Sequence, residues 1–325
     1  MSRGRSHGAN GAALTCALVL AVLGGYDPAP RRPDAAPALS DSIASAQRQP
    51  LPGGGFGIAD AAGHLLPLRD YRRIVSTNIL SDRLLLELCE PDRLLAVGPH
   101  SASAAGRWRF AGKQVVDGMG PLEAIVALKP DLVLMNVFGS DGRIDKLRGA
   151  GIEVFNLGQL HGLSTLIPTA EVVGELLGDA QRGRQFAHQF QSRIDKVAAP
   201  LGARPRLRGI YLAVIAGHII GGSQGTSYHD VLTHAGLVDA AAQAGYHDWP
   251  QFRAEQVVAL DPDVVVTKDG MTEAICTQPG LERLRACQRA GGARVLTLPE
   301  AILEDPGVGM LEAAERLFEL AYPDR

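Results

Sequence analysis

The chain has 325 residues, of which 46% are hydrophobic and 21% are charged, and its formal net charge at pH 7 is −3. This length is enough for two domains of about 100–150 residues each, and the composition is that of a globular α/β protein. The body of the chain has no lysine- or arginine-rich block, which argues against nucleic acid as the main partner.

The first 26 residues have the pattern of an export signal. Basic residues precede an apolar run, 12–23, that is shorter than the roughly 20 residues of a membrane-spanning helix but suits a signal peptide. A lipoprotein signal would continue with cysteine, and Tyr26 stands there instead, so lipid attachment at this place is excluded because the residue has no thiol. We expect a periplasmic or extracytoplasmic protein, with an uncleaved membrane anchor as the open alternative.

Residues 27–56 are rich in Pro, Ala, Gly and Ser and predict a disordered tether that cannot bury a core. We expect the folded part to comprise an N-terminal α/β lobe at 57–163, a bridging helical segment at 164–203 and a C-terminal α/β lobe at 204–325.

In the N-terminal lobe, apolar strands alternate with amphipathic helices. After a small hairpin at 57–68, strands are predicted at 73–77, 94–97, 132–137 and 152–157, and helices at 81–88, 122–128 and 141–149. This alternation is typical of a parallel sheet with right-handed crossovers. A polar loop at 98–112 carries His100 and Trp108.

The middle of the chain breaks this rhythm. Residues 164–201 are predicted to be helical throughout, so that they form a rigid bridge between two lobes. In the C-terminal lobe, strands are predicted at 209–216, 264–267 and 294–298, a loop at 218–226, and helices at 228–235, 255–260, near 280–289 and at 309–321.

One stretch occurs twice, at 123–134 and 255–266, with seven identical residues at a constant offset of 132. Each copy predicts a short helix, which proline ends, and then a buried strand. Glu123 and Glu255 fall in the first turn of their helices, where the helix dipole favours a carboxylate. Either glutamate alone is an ordinary first-turn acid, but the two copies imply two similar lobes, each with an exposed acid at an equivalent place.

The cysteines predict no metal site, because none shows CxxC spacing. In an oxidising compartment Cys276 and Cys287 could pair, and Cys89 would be left over.

Several stretches together resemble a known family. They are 60–63 (DAAG), 73–76 (RIVS), 121–131 (PLEAIVALKPD), 231–237 (VLTHAGL), 249–251 (WPQ) and 254–263 (AEQVVALDPD). On these stretches, the chain from about 57 to 321 resembles the periplasmic substrate-binding proteins of ABC importers for cobalamin, haem and ferric siderophores.

The resemblance implies two Rossmann-like lobes with parallel sheets, joined by one long bridging α-helix, with the ligand held between the lobes. It implies that Glu123 and Glu255 contact arginines of the membrane permease, one acid per lobe. ATP hydrolysis would belong to a partner subunit, since the chain has no phosphate-binding GxxxxGK[ST] loop. We expect a monomer with no cofactor of its own and no nucleic-acid partner, whose ligand is a metal-containing chelate or macrocycle.

The sequence also departs from the family pattern. Many members are lipoproteins, and this chain lacks the cysteine. Cobalamin binders carry a tryptophan six residues before the first docking glutamate, where this chain has Asp117, which puts cobalamin in doubt.

Ligands of open α/β sheets bind beyond the carboxyl ends of the strands, so the loops there supply the candidate ligand residues. These are His100 and Trp108 in the N-terminal lobe, and His218, Tyr228 and Trp249 in the C-terminal lobe. These residues also have simpler interpretations. Trp249 could pack against its own loop, and Tyr228 could have only a capping or packing role at the start of a helix. His161, His188 and His234 are expected to be surface or core residues.

Three other functions compete with the importer interpretation. Residues 221–225 match the GxSxG pattern of a serine hydrolase, although they are predicted to lie in a loop several residues past the strand. A zinc or manganese carrier would need converging histidines and carboxylates, and the chain has no His-rich loop. A ligand sensor could keep the fold without docking to a permease. We favour a non-enzymatic, exported substrate-binding protein that captures an iron complex or a corrinoid.

Overall fold

The computed structural model describes residues 43, 47–99, 101, 107–136 and 141–323. The export signal predicted at 1–26 lies outside these residues, and so does most of the tether predicted at 27–56. Because residues 40–325 form one compact unit, the lobe boundaries given above stay predictions.

The end of the predicted tether is a β-strand, so the prediction of a tether is wrong for this part. β1 (Arg48–Pro50) pairs antiparallel with β2 (Phe56–Ala59), and β2 pairs antiparallel with β3 (Leu65–Pro67). Gly54 and Gly55 have φ angles of 91° and 80°, a left-handed conformation that favours glycine. The glycines that suggested flexibility therefore turn the chain back on itself.

In the N-terminal lobe, parallel strands alternate with helices as predicted. The strands are β4 (Ile74–Ser76), β5 (Leu94–Val97), β6 (Gln114–Val115), β7 (Leu132–Met135) and β8 (Val154–Asn156), and the helices are α1 (Ile79–Leu88), α2 (Leu122–Ala127) and α3 (Asp141–Gly149). The strand order is β6-β5-β4-β7-β8, and every pair is parallel. β4, β7 and β8 are buried along their whole length, which is expected of strands with both faces covered.

The bridging segment consists of two helices, whereas the sequence predicted one long helix. α4 (Leu163–Leu176) and α5 (Ala180–Ile194) form a helical hairpin. Gly178 follows α4 with a left-handed φ of 85°. The side chain of Asp179 then accepts a hydrogen bond from the backbone N–H of Arg182 (3.0 Å) and begins α5.

The C-terminal lobe has the same alternation around a mixed sheet. Its strands are β9 (Arg208–Ile215), β10 (His218–Gly222), β11 (Val238–Asp239), β12 (Gln251–Phe252), β13 (Val264–Lys268) and β14 (Arg294–Leu298). Its helices are α6 (Ser227–His234), α7 (Ala240–Gln243), α8 (Ala254–Leu260), α9 (Thr272–Cys276), α10 (Arg285–Gln288), α11 (Glu300–Leu303) and α12 (Gly309–Ala321).

The strand order of this sheet is β12-β10-β9-β13-β14, and β11 also pairs with β9. β9, β11, β13 and β14 are parallel, whereas β10 runs antiparallel to both β9 and β12. The prediction of a parallel sheet therefore holds for only part of this lobe. The reason is a tight reversal at Ala216 and Gly217, whose φ angles are 50° and 81°. The loop predicted at 218–226 accordingly begins as a strand.

The sequence repeat corresponds to a structural repeat. β7 lies between β4 and β8, and β13 lies between β9 and β14. In each lobe a short helix, α2 or α8, leads directly into this strand. The two similar lobes that the repeat predicted are thus present.

One hydrophobic core runs through both lobes. It contains Leu84 of α1, Leu166 of α4, Phe190 of α5 and Leu317 of α12, together with one face of each sheet. The opposite faces of the two sheets pack in separate clusters. Because α5 packs on α1 and on α12, it connects the helices of the two lobes.

Cys276 and Cys287 form a disulfide between α9 and α10, and Cys89 is buried and free. In the part of the chain that the structure describes, no helix has the length and apolar character needed to cross a bilayer.

Candidate functional site

The two repeated glutamates occupy equivalent places. Glu123 and Glu255 lie in the first turns of α2 and α8, and both are exposed. Each helix returns the chain to the amino end of the following strand, β7 or β13, so each helix begins at the carboxyl edge of its sheet. The carboxyl edge of either lobe therefore presents one exposed acid.

The aspartate of the Pro-Asp pair in each repeat joins two neighbouring strands. The carboxylate of Asp131 accepts hydrogen bonds from the backbone N–H groups of Arg72 (2.8 Å) and Arg73 (2.9 Å). The carboxylate of Asp263 accepts one from the backbone N–H of Arg208 (2.9 Å). Each aspartate thus ties the start of its strand to the strand beside it.

A second contact of the same kind involves arginine side chains. The guanidinium of Arg73 donates to the carbonyl oxygens of Leu128 (2.5 Å) and Lys129 (2.9 Å), which are at the end of α2. The guanidinium of Arg208 donates to the carbonyl oxygen of Leu260 at the end of α8 (3.0 Å). These arginines fix the helices that carry the glutamates. The sequence repeat contained the aspartates but gave no sign of the arginines, which follow a different spacing.

Trp249 lies in a loop that the neighbouring strand holds in place. The backbone N–H of Gly221 donates to the carbonyl of Pro250 (2.8 Å), and that of Ser223 donates to the carbonyl of Asp248 (2.9 Å). The side chain of Trp249 is nevertheless 44% exposed. A fixed backbone with an exposed indole ring suits a contact surface for a flat ligand.

His161 was not among the ligand residues predicted from the sequence. It was expected to be a surface or core residue, but it follows β8 at the carboxyl edge of the N-terminal lobe, and its ring lies 5.8 Å from that of Trp249, tilted by 44°. This pair of rings is therefore a contact between the two lobes. No sequence signal could have found it, because the contact depends on how the lobes meet.

Two other predicted ligand residues of the C-terminal lobe have protein partners. His218 begins β10 and is exposed, and its Nδ1 lies 2.7 Å from the side-chain nitrogen of Gln251. Tyr228 is half-buried, and its ring stacks on Tyr211 with 3.6 Å between ring centres. Burial raises the pKa of the Tyr228 hydroxyl, which stays neutral. One face of this ring is thus occupied by protein.

Of the two predicted ligand residues of the N-terminal lobe, the structure describes one. Trp108 belongs to a short 3₁₀ helix at Arg107–Phe110 and is 76% exposed. His100 lies outside the described residues. The participation of both residues stays a prediction.

The GxSxG stretch does lie between a strand and a helix, contrary to expectation, but its geometry differs from that of a nucleophile elbow. Ser223 is fully buried, and its hydroxyl donates to Asp239 Oδ2 (3.2 Å). His229 Nδ1 lies 2.8 Å from the same carboxylate oxygen, and this hydrogen bond raises the pKa of His229. The carboxylate therefore lies between serine and histidine, where a catalytic triad needs histidine in the middle.

A buried ion pair joins the two lobes. Arg83 of α1 lies 3.0 Å from Asp305, whose side chain is fully buried. The backbone N–H groups of Gly307 and Gly309 donate to the same carboxylate (2.8 and 2.9 Å). Beside it, burial raises the pKa of Asp82 to about 6.

A second contact joins the lobes at the start of α4. The carboxylate of Asp230, on α6, accepts a hydrogen bond from the backbone N–H of Leu163 (2.7 Å). Gly162 has a φ of 103°, and any side chain there would collide with Asp230. Burial raises the pKa of Asp230, and the hydrogen bond from the Leu163 amide opposes this shift.

Charged groups also lie at the carboxyl ends of β13 and β14. Lys268 Nζ is 3.1 Å from Glu304 and 3.4 Å from Glu300, and burial raises the pKa of Glu304. Across the described ranges, no group of three or more His, Cys, Asp or Glu side chains is arranged to hold a metal ion.

The family model of the periplasmic binding proteins matches residues 74–315. The chain belongs to this family. The match begins at β4 and ends within α12, so it includes both lobes and the helical hairpin between them.

Curated relatives agree with this assignment. An uncharacterized ABC transporter substrate-binding lipoprotein of Bacillus subtilis is 26% identical over 211 residues, which cover 62% of this chain and 65% of the relative. A cobalamin-binding protein of Halobacterium salinarum is 28% identical over 203 residues, which cover 60% of this chain and 53% of the relative. The chain thus matches about half to two thirds of the length of these relatives.

The fold is shared with solved structures. A possible iron-binding periplasmic solute-binding protein of Staphylococcus epidermidis superposes with a TM-score of 0.68 at 17% identity, covering 78% of this chain and all of that one. The predicted two-lobed α/β fold is therefore confirmed. In this periplasmic binding protein, the carboxyl edges carry an aromatic pair across the lobes and one exposed acid per lobe.

Proposed function

We propose that this chain is the substrate-binding protein of an ABC importer, which captures an iron complex or a corrinoid between its lobes and delivers it to a membrane permease. The observation that carries the proposal is the equivalence of Glu123 and Glu255. Two exposed acids stand at matched places on matched helices, one per lobe. Neither forms a hydrogen bond or an ion pair within the described residues.

Such a pair of acids suits docking to a two-fold partner. Carboxylate–arginine contacts are charge-assisted and directional, so two of them would orient the binding protein on its permease and still allow release. Arg73 and Arg208 donate to the ends of the helices that carry the acids, and Asp131 and Asp263 fix the strands that follow. Docking would therefore cost the two acids little conformational freedom. An ABC permease with an ATPase subunit is the partner that this arrangement fits.

The ligand class rests on the aromatic surface. Trp249 is exposed on a fixed loop, and a flat ring there suits a macrocycle or an aromatic chelator. The cobalamin-binding relative supports a corrinoid, whereas Asp117 is exposed and accepts a hydrogen bond from the Met119 N–H (2.8 Å) in place of an aromatic side chain. We therefore keep corrinoid, haem and ferric siderophore as ligand candidates.

We propose further that the chain is exported and has no catalytic activity. The relative named as a lipoprotein supports a location outside the cytoplasm. The buried Ser223, which donates to a carboxylate rather than to a histidine, disfavours a serine hydrolase.

Calorimetric titration of the purified chain tests this function. The panel comprises cyanocobalamin, haemin, ferric siderophores, and zinc and manganese ions. We expect saturable binding of one metal complex at a ratio of one to one. Binding of a bare metal ion alone would replace the proposal with a metal-ion carrier. Absence of binding to every compound would favour a sensor that has kept the fold.

A further inference from the structure

His161 is placed where the fold brings ligand-binding loops together. It follows β8 in the N-terminal lobe, beyond the carboxyl end of a parallel strand, and its ring contacts that of Trp249 from the other lobe. No other pair of aromatic rings in the described residues joins the two lobes in this way.

The backbone of His161 is held firmly. Its N–H donates to Thr165 Oγ1 (2.9 Å), and that hydroxyl donates to the carbonyl of Gly162 (2.9 Å). The amide of Leu163, two residues further on, donates to Asp230 of the opposite lobe (2.7 Å). The imidazole is therefore carried by a turn that both lobes fix, which is what a precise ligand contact requires.

Three histidines of the C-terminal lobe have protein partners at a ring nitrogen. His218 is hydrogen-bonded to Gln251, His229 to Asp239, and His234 to a carbonyl of its own helix. Within residues 47–99, 107–136 and 141–323, neither ring nitrogen of His161 is hydrogen-bonded to a protein group. This half-buried imidazole thus has both nitrogens available to a ligand.

We infer that His161 supplies a nitrogen donor to the metal of the bound ligand, while Trp249 packs against the ring of that ligand. The inference rests on the proposed function and narrows it. The ligand would be a metal macrocycle with a replaceable axial position, such as a haem or a corrinoid. Ligand exchange is the only step: an imidazole lone pair forms a bond to the metal, bound water leaves, and the metal keeps its oxidation state.

This chemistry separates the ligand candidates. In a hexadentate ferric siderophore all coordination positions of the iron are filled, so His161 would gain nothing from it. Haemin and aquocobalamin both offer an exchangeable position. We therefore expect the protein to bind haemin or aquocobalamin more tightly than a hexadentate ferric siderophore.

The test is a titration of the full chain with haemin and with aquocobalamin, followed by absorbance spectroscopy. His161→Ala is compared with the native chain and with His188→Ala, a matched control at an exposed histidine of α5. We expect the native chain and the control to shift the absorption band of one probe. His161→Ala should lose this shift and bind the probe about 10–100-fold more weakly, and added imidazole should restore the shift.

The possible outcomes are distinct. A folded His161→Ala with native spectrum and affinity would overturn the role of His161 and leave the proposed function standing. Tighter binding of a hexadentate ferric siderophore than of either probe would overturn the ligand class. If the native chain binds no metal complex at all, the proposed function fails and the inference with it. His161→Gln is measured in parallel, and loss of the shift at an unchanged melting temperature supports the inference even if the alanine variant unfolds.

Discussion

At the scale of single residues, Trp249 combines an exposed ring with a fixed backbone in the C-terminal lobe. Tyr228 and Tyr211 cover each other, and Tyr246 packs edge-on against Phe252. The indole of Trp249 keeps 44% of its surface exposed although its loop is hydrogen-bonded to the adjacent strand. An anchor of this kind contributes most to binding, since few torsions remain to be frozen.

We expect Trp249→Ala to weaken ligand binding by about 1–3 kcal/mol, because an aromatic contact is lost. Phe56→Ala is the control, since Phe56 is also an exposed aromatic residue but belongs to the N-terminal hairpin. Isothermal titration of both variants measures the effect. An unchanged dissociation constant for Trp249→Ala would remove this residue from the site.

Asp82 is a buried acid whose protonation affects stability. Burial raises the pKa of Asp82 to about 6, although the backbone N–H of Gly98 donates to its carboxylate. Between about pH 4 and pH 6, the Asp82 carboxyl group keeps its proton in the folded protein but releases it in the unfolded chain. The free energy of unfolding therefore falls as the pH rises through this window, and the contribution is constant above it.

We expect Asp82→Asn to remove this dependence, since an amide does not ionise. The difference in free energy of unfolding between the variant and the native chain should grow in favour of the variant by about 2–3 kcal/mol as the pH rises from 4 to 6. Urea unfolding at several pH values measures it. A difference that does not vary with pH would contradict the assignment.

The site was predictable from sequence only where a local pattern marks it. The repeat revealed Glu123 and Glu255, and the family resemblance pointed to Trp249. His161 could not be found, because its significance comes from a contact across the lobes that no local spacing encodes. Tyr228 was singled out for its place after a strand, yet Gly222 leaves the room in which its ring packs against the sheet.

At the scale of elements, the helical hairpin of α4 and α5 depends on two glycines. A side chain at Gly174 would approach the Cα of Gly183 to 2.6 Å, and one at Gly183 would approach the carbonyl of Ala170 to 2.7 Å. The backbones thus touch near the turn, and this allows α5 to fold back along α4.

We expect Gly174→Ala to destabilise the protein by about 1–3 kcal/mol, because the added methyl forces the helices apart. Gly149→Ala, at the end of α3, has no atom within 4 Å of the new methyl and should be neutral or slightly stabilising. Thermal unfolding of both variants tests this, and equal melting temperatures would show that the close approach is not required.

The sequence predicted most helices and strands because apolar periodicity reports burial directly. It failed where single residues reverse the chain. Gly178 and Asp179 end one helix and begin another, whereas the helical pattern predicted throughout 164–201 suggested one helix. The pair Ala216 and Gly217 makes a hairpin out of a segment whose glycines suggested a loop.

At the scale of the whole molecule, the lobes are joined by more than the chain itself. A single core passes through α1, α4, α5 and α12. The ion pair of Arg83 with Asp305 and the hydrogen bond from Leu163 to Asp230 join the lobes at two further places. We infer that the lobes move only slightly on binding, because large closure would break buried charged contacts.

We expect Arg83→Met to lower the free energy of unfolding by about 3–5 kcal/mol, since the buried carboxylate of Asp305 loses its partner. Arg193→Met is the matched control, because Arg193 pairs with Glu315 on the surface, and it should cost less than about 1 kcal/mol. Similar losses in the two variants would mean that the pair between the lobes does not stabilise them.

The most direct test of the account is transport by a chain in which both docking acids are reversed. Glu123→Arg with Glu255→Arg is compared with Asp145→Arg with Glu312→Arg, which reverses one exposed helix acid per lobe elsewhere. In membrane vesicles that carry the partner permease and ATPase, we measure uptake of the bound ligand, and in solution its dissociation constant. We expect native affinity for both variants, and loss of uptake for the first alone. Uptake at the native rate by the folded Glu123→Arg, Glu255→Arg chain would contradict it.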